Sequence, residues 1–197
     1  MKNRELLERV KKDYYNTIKT LANIIDVSDP YTHGHSGKVM KYSMIICTEL
    51  GIDGREKMAI KNAALLHDIG KVFIDKKILT KNGKLTSFEW RIMQEHPVEG
   101  ARIISQLGFL YNAVPIVYHH HERFDGGGYP DPKKREEDIP VGARILSVCD
   151  SYDAMTSERP YRRAYSKDYA INELREMAGS QFDPKIVDVF VKSLNGN

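Results

Sequence analysis

His67 and Asp68 stand side by side where the apolar run Ala63 to Leu66 ends and before Ile69 and Gly70. The pair is expected at a helix end, where two adjacent side chains can reach one ligand; in mid-helix they would diverge by about 100°. An imidazole gives nitrogen to a divalent metal, and a carboxylate can bridge two metals through its two oxygens. The combination favours a binuclear centre. Water bridging two such ions has its pKa lowered towards neutrality, so the expected chemistry is hydrolysis by a metal-bridging hydroxide. Lys71, one helical turn beyond His67, is placed to bring positive charge to an anionic group at the same site. A His-Asp dipeptide alone is weak evidence. The seven histidines, however, are His33, His35, His67, His96, His119, His120 and His121, and most sit beside a Gly, Pro, Asp or another His, unlike histidines scattered through a core.

The elements that must position these residues read as helices. Apolar side chains recur at helical spacing almost throughout, no run alternates strictly enough for a half-buried strand, and the fold class is all-α. Helices are expected from about Asn3 to Val27, His35 to Leu50, Arg55 to His67, Phe88 to Glu95, Val98 to Leu107, Asn112 to His119, Val141 to Met155 and Lys167 to Ala178. A last one begins at Asp183 and Pro184. Asp53 with Glu56, and Thr86 with Glu89, have capping-box spacing. From Asp125 to Ile139, three consecutive glycines, two prolines and a dense charge run form a long irregular loop near function. In the first helix, Leu7, Val10, Tyr14, Thr17, Leu21 and Ile24 follow the three-four alternation of a heptad seam. Residues 1–28 are thus either a pairing helix that would make a homodimer or an amphipathic helix packed on its own domain, residues 29–197.

Composition narrows the function classes. At 197 residues, 41% hydrophobic and 29% charged, the chain suits one globular unit. No apolar run reaches the roughly 18 residues of a membrane span, and no signal peptide is visible. With only Cys47 and Cys149 to pair, a cytoplasmic location follows. A formal charge of +3 is too small to argue for duplex nucleic acid but suits a modest anionic substrate.

The runs HDIGK, from His67 to Lys71, and HHERFDGGGYP, from His120 to Pro130, resemble signatures of the HD-GYP family of HD-domain phosphohydrolases. The similarity extends from about Asp29 to Phe190 through DPYTHGHS, NGKLTSFEW, EHPVEGA, CDSYDAMTSERPYR and FDP. It implies an all-α fold and a ligand set that carries over residue by residue. His35, His67, Asp68 and Asp150 match the first metal position. His96, His120 and His121 match the second, which Asp68 would bridge. Some members place a glutamate four residues before the first of these histidines to hold a third metal. Here Tyr31 stands there, so two divalent ions are expected. Ligands of nitrogen and carboxylate without thiolate suit iron or manganese, with zinc as the third option.

His33 and His119 match no ligand and are expected as polar neighbours. Cys149 should pack in the core. Asp153, three residues after Asp150, shares its helix face and is a candidate to support a ligand or carry a proton.

The resemblance further implies cyclic diguanylate (c-di-GMP) as substrate, cleaved to linear pGpG or further to GMP. Tyr129 of the GYP triplet, Arg159 and Arg162 would lie against the nucleotide, and Gly127 and Gly128 would let backbone approach it. It also makes an upstream sensory or receiver domain a candidate partner. Two departures bear on the substrate cleft: Phe73 and Asp75 replace a common glycine and proline, and the charged DPKKREED replaces a Gly-Leu-x-Gly pattern. Two other functions compete: a cyclic dinucleotide-binding signalling module with slow turnover, and an HD-type hydrolase of another nucleotide, such as a mixed cyclic dinucleotide.

Overall fold

The computed structural model describes residues 2–28, 34–158 and 163–195. Among these the chain is helical without a strand; one isolated bridge joins Ala178 to Phe182. The order is α1 (Lys2–Ser28), α2 (His35–Glu49), α3 (Gly54–Leu66), α4 (Lys76–Leu79), α5 (Ser87–Met93), α6 (His96–Ser105), α7 (Val114–His119), α8 (Val141–Thr156), α9 (Lys167–Glu176) and α10 (Pro184–Asn195). Short 3₁₀ helices run over Ile69–Phe73, Gly108–Ala113 and Glu136–Asp138.

Local chemistry explains most boundaries. Thr86 and Glu89 form the expected capping box at the start of α5: the Glu89 amide donates to Thr86 Oγ1 at 3.3 Å and the Thr86 amide to Glu89 Oε2 at 2.7 Å. Asp53 departs from expectation. It occupies the cap position of α3 but makes no side-chain capping bond. Helix α6 starts two residues earlier than Val98, because Pro97 fits the first turn, where its missing N–H is not needed. Pro115 does the same for α7, and the residues from Gly108 to Ala113 wind as a 3₁₀ helix instead. The last helix follows Asp183, whose Oδ1 accepts from the Lys185 amide at 2.8 Å.

The core lies where α2, α3 and α8 pack on one another. Ile46, Ile60, Leu66, Ile145 and Leu146 are fully buried there, each such side chain contributing about 1.5–3 kcal/mol. Ile104 and Val117 add α6 and α7 to the same core, and Leu174 and Phe190 add α9 and α10. The carboxyl half of α1 belongs to it as well: Ile18 and Ala22 are buried, and Asn62 Nδ2 donates to the Tyr14 hydroxyl at 2.6 Å. In the amino half, Leu6 is 62% and Val10 55% exposed. The side chains of Leu7 and Ile24, two positions of the expected seam, lie outside the described residues. Among the described residues no helix is long and apolar enough to cross a membrane.

The long loop after α7 is tied down at its back. Phe124 and Asp125 donate backbone bonds to Gln181 (3.1 Å) and Ser180 (2.8 Å), and Glu136 donates back to Phe124 (2.8 Å). Arg144 pairs with Asp183 and donates from Nε to the Ile139 carbonyl at 2.9 Å. The loop is thereby held against the turn before α10, leaving its GYP segment towards the ends of α3, α6 and α7.

Candidate metal centre

Three histidines are oriented by one local device. The ring Nδ1 of His67 donates to the Ala64 carbonyl (3.0 Å), that of His96 to Met93 (2.7 Å) and that of His120 to Val117 (2.6 Å), each three residues back. A carbonyl can only accept, so Nδ1 carries the proton and Nε2 keeps its lone pair when the ring is neutral. Burial holds His96 down to about 3 and His120 well below the ordinary imidazole value, keeping both neutral. The Nε2 atom of His67 is buried and has no hydrogen-bond partner among the described residues. His67 itself caps α3, and Asp68, at φ −93° and ψ 4°, turns the chain into the 3₁₀ helix over Ile69–Phe73.

These lone pairs converge. Nε2 of His96 lies 3.3 Å from Nε2 of His120. Two acceptors facing each other repel unless a cation lies between them, and their spacing is what two nitrogens have when each binds one ion at about 2.1 Å. His96, His120 and His121 offer ligand atoms within 4.8 Å of one another, as do His35, His67 and Asp150. Asp68 stands between the two groups. Its Oδ1 is 3.4 Å from His96 Nε2 and its Oδ2 3.5 Å from His67 Nε2. Burial opposes its charge, but the Lys71 ammonium, 2.7 Å from Oδ2, and the surrounding imidazoles hold the carboxyl well below the usual carboxylate range. The donor set fits divalent metal on all these counts.

His35, at the start of α2, is held differently. Its Nδ1 meets Asp153 Oδ2 at 2.7 Å and its Nε2 meets Asp150 Oδ1 at 3.1 Å. Burial disfavours the imidazolium, yet the two carboxylates outweigh it and raise His35 to about 10. A cation in this group would replace the Nε2 proton while Asp153 keeps the Nδ1 proton. Asp153 is itself buried and receives the Ser157 hydroxyl at 3.0 Å. It therefore stands behind His35. Asp153→Ala should weaken metal binding in the His35 group about 10–100-fold, and Asp153→Asn, which can still accept from Nδ1, should weaken it less. Competition with a chelating dye measures both; equal, wild-type affinities would refute this role.

Comparison with known proteins identifies the scaffold. A family model described as HD domain matches residues 19–186. The chain belongs to the HD domain family. This HD domain is 36% identical over 178 residues to the 3′3′-cGAMP-specific phosphodiesterase 3 of Vibrio cholerae, covering 90% of this chain and 38% of that protein. It is also 36% identical over 188 residues to the cyclic di-GMP phosphodiesterase response regulator RpfG of Xanthomonas campestris pv. campestris, covering 94% and 50%. Among solved structures, the cyclic GMP-AMP specific phosphodiesterase V-cGAP3 of V. cholerae aligns with TM-score 0.56 and 31% identity, covering 90% of this chain and 40% of that one. The chain spans about half or less of the length of these relatives. The HD-GYP resemblance of its motifs agrees with all three.

Around the HD residues, Tyr129 stacks on His121, with ring centroids 4.8 Å apart and 26° between planes. Gly127 adopts φ +78°, which a side chain would strain. A Cβ on Gly128 would collide with the backbone of Glu122 and Arg123, so the close approach there is to the chain itself. Arg159, Arg162, Tyr31 and His33 lie outside the described residues. His119 joins neither group; its Nδ1 faces Glu122 Oε1 at 3.3 Å. Cys149 is buried in the core, as expected.

The sequence reading passed over Glu122. Its buried Oε1 also accepts from the Asp131 amide at 2.8 Å, tying the end of the GYP segment to the turn after α7 that carries His120 and His121. The only sequence signal was its place directly after His120 and His121.

Proposed function

We propose that this HD domain is a metal-dependent phosphodiesterase that hydrolyses a cyclic dinucleotide, c-di-GMP, to pGpG or further to GMP. The reading rests on Asp68, one buried carboxylate with an oxygen turned to each of two histidine-rich groups. His35, His67 and Asp150 would hold one divalent ion, His96, His120 and His121 a second, and Asp68 both. Iron or manganese suits the ligands best, and zinc is the third option. When bound, the ions supply Lewis acidity and bring the pKa of water towards neutrality.

The chain's own residues supply the rest. Lys71 holds Asp68 ionised and brings positive charge to where a phosphate would sit. Asp153, on the Nδ1 side of His35, would hold that proton and leave Nε2 for a metal ion. Tyr129 braces His121, and Arg159 and Arg162 would meet phosphate and base. The free, buried Cys47 and Cys149 support a cytoplasmic place. The exposed Leu6 and Val10 of α1 and the greater length of the relatives support a role for α1 in dimer formation or in linking to an upstream sensory or receiver domain.

Similarity to cGAMP-specific enzymes favours one second reading, that the mixed cyclic dinucleotide is the better substrate. Manganese-loaded protein should be incubated with c-di-GMP, 3′3′-cGAMP, a guanosine tetraphosphate and a nucleoside triphosphate, and the products followed by chromatography. Cleavage of either cyclic dinucleotide is expected, and their relative rates decide between the two readings. If only the tetraphosphate or triphosphate is consumed, the proposal fails.

A further inference from the structure

One face of the Tyr129 ring is covered by His121, which leaves that tyrosine poorly placed to receive a base on both sides. The next ring outward is Trp90, 6.3 Å from Tyr129 and inclined at 78°. Trp90 is 47% exposed, on α5, a helix with no buried residue. That helix is fixed by its capping box and by Lys81, whose ammonium donates to Glu89 at 2.5 Å. A tryptophan contributes most to a fold when buried, so one held half open on a rigid, surface-lying helix adds little to the core. Open aromatic faces near charged groups are how proteins take up bases without reading their sequence. Two ring contacts, 6.3 and 4.8 Å between centroids, link Trp90 through Tyr129 to His121.

We propose that Trp90 is the platform on which one nucleobase of the substrate stacks, with Tyr129 as the spacer that sets the platform against the His96, His120 and His121 group. The inference rests on the proposed function: the phosphodiester would lie at the metal groups while its base reaches the α5 rim.

Trp90 is the chain's single tryptophan, so its fluorescence reports this residue alone. Manganese-loaded full chain should be titrated with a slowly hydrolysed bis-phosphorothioate analogue of c-di-GMP, reading emission and, in parallel, heat of binding. Emission should fall strongly as the ligand saturates. Trp90→Ala should raise Kd and KM about tenfold or more, with kcat, metal content and Tm near wild type, and Trp90→Phe should restore affinity to within a few fold. Calorimetric binding with unchanged emission, or wild-type affinity in Trp90→Ala, overturns the assignment of Trp90 and leaves the proposed function standing. No heat and no hydrolysis of any cyclic dinucleotide by the wild type overturns the proposed function and this inference together.

Discussion

Asp68→Ala should lower cyclic dinucleotide hydrolysis by more than about 10³-fold and release metal from both groups. The expectation is larger than for any single histidine because Asp68 faces both sets, 3.4 Å from His96 Nε2 on one side and 3.5 Å from His67 Nε2 on the other. Losing it removes a ligand twice over. It also removes the Asp68 carboxylate that Lys71 meets at 2.7 Å and leaves the His96, His120 and His121 group without its neighbouring carboxylate. His67→Ala should be nearly as damaging to rate but should spare the ion held by His96, His120 and His121. His119→Ala is the matched control, since His119 borders the site yet faces Glu122 rather than either group. Metal analysis beside initial rates separates the three variants. Two ions per chain in Asp68→Ala, or activity within tenfold of wild type, would show that the carboxylate bridges nothing.

How far this centre could be read from sequence depended on the kind of information each residue carries. His67 and Asp68 were legible because the apolar run that builds α3 stops at Leu66, and a helix end is a local property. The grouping of His35 with His67 and Asp150 was not local. It followed from a resemblance spread over separate motifs, and the structure brings the same residues together through the packing of α2 on α3 and α8. Thr86 and Glu89 capped α5 as their spacing suggested, while Asp53, with the same spacing to Glu56, did not. Spacing shows that a capping bond is within reach and says nothing about whether the side chain turns to make it. The five-residue 3₁₀ helix after Asp68 was missed because a segment that short has no period to detect. The same limit hid the contact from Tyr129 to Trp90, which joins a loop to a helix some forty positions upstream and leaves no mark in either segment alone.

Gly70 shows what such hidden contacts control. A Cβ built on it would collide with the His96 carbonyl oxygen, and would lie 2.6 Å from Gly100 N and 2.9 Å from the His96 carbonyl carbon. All three obstacles are backbone, so no flexible side chain can swing away to make room. Helix α6 thus rests directly on the 3₁₀ helix, and that approach brings His96 within reach of Asp68. Gly70→Ala should force the two elements apart at a cost of about 1–3 kcal/mol or more, lowering Tm by roughly 2–4 °C for each kcal/mol. A displacement near 1 Å can cost about 10²-fold in rate, so activity should fall at least that far while circular dichroism stays helical.

The metal count makes the prediction specific. His35 and Asp150 come from α2 and α8 and His67 from the end of α3, none of them from α6, so one ion should remain as the His96 group loses its own. Gly100→Ala provides the graded comparison. Its Cβ would meet Val117 Cγ1 at 3.2 Å and Gly70 N at 3.3 Å, distances a small shift relieves, and its losses should be milder on every measure. If Gly100→Ala proved the more damaging of the two, or if Gly70→Ala kept both ions and normal turnover, the close approach at Gly70 would not be what aligns the two groups across Asp68.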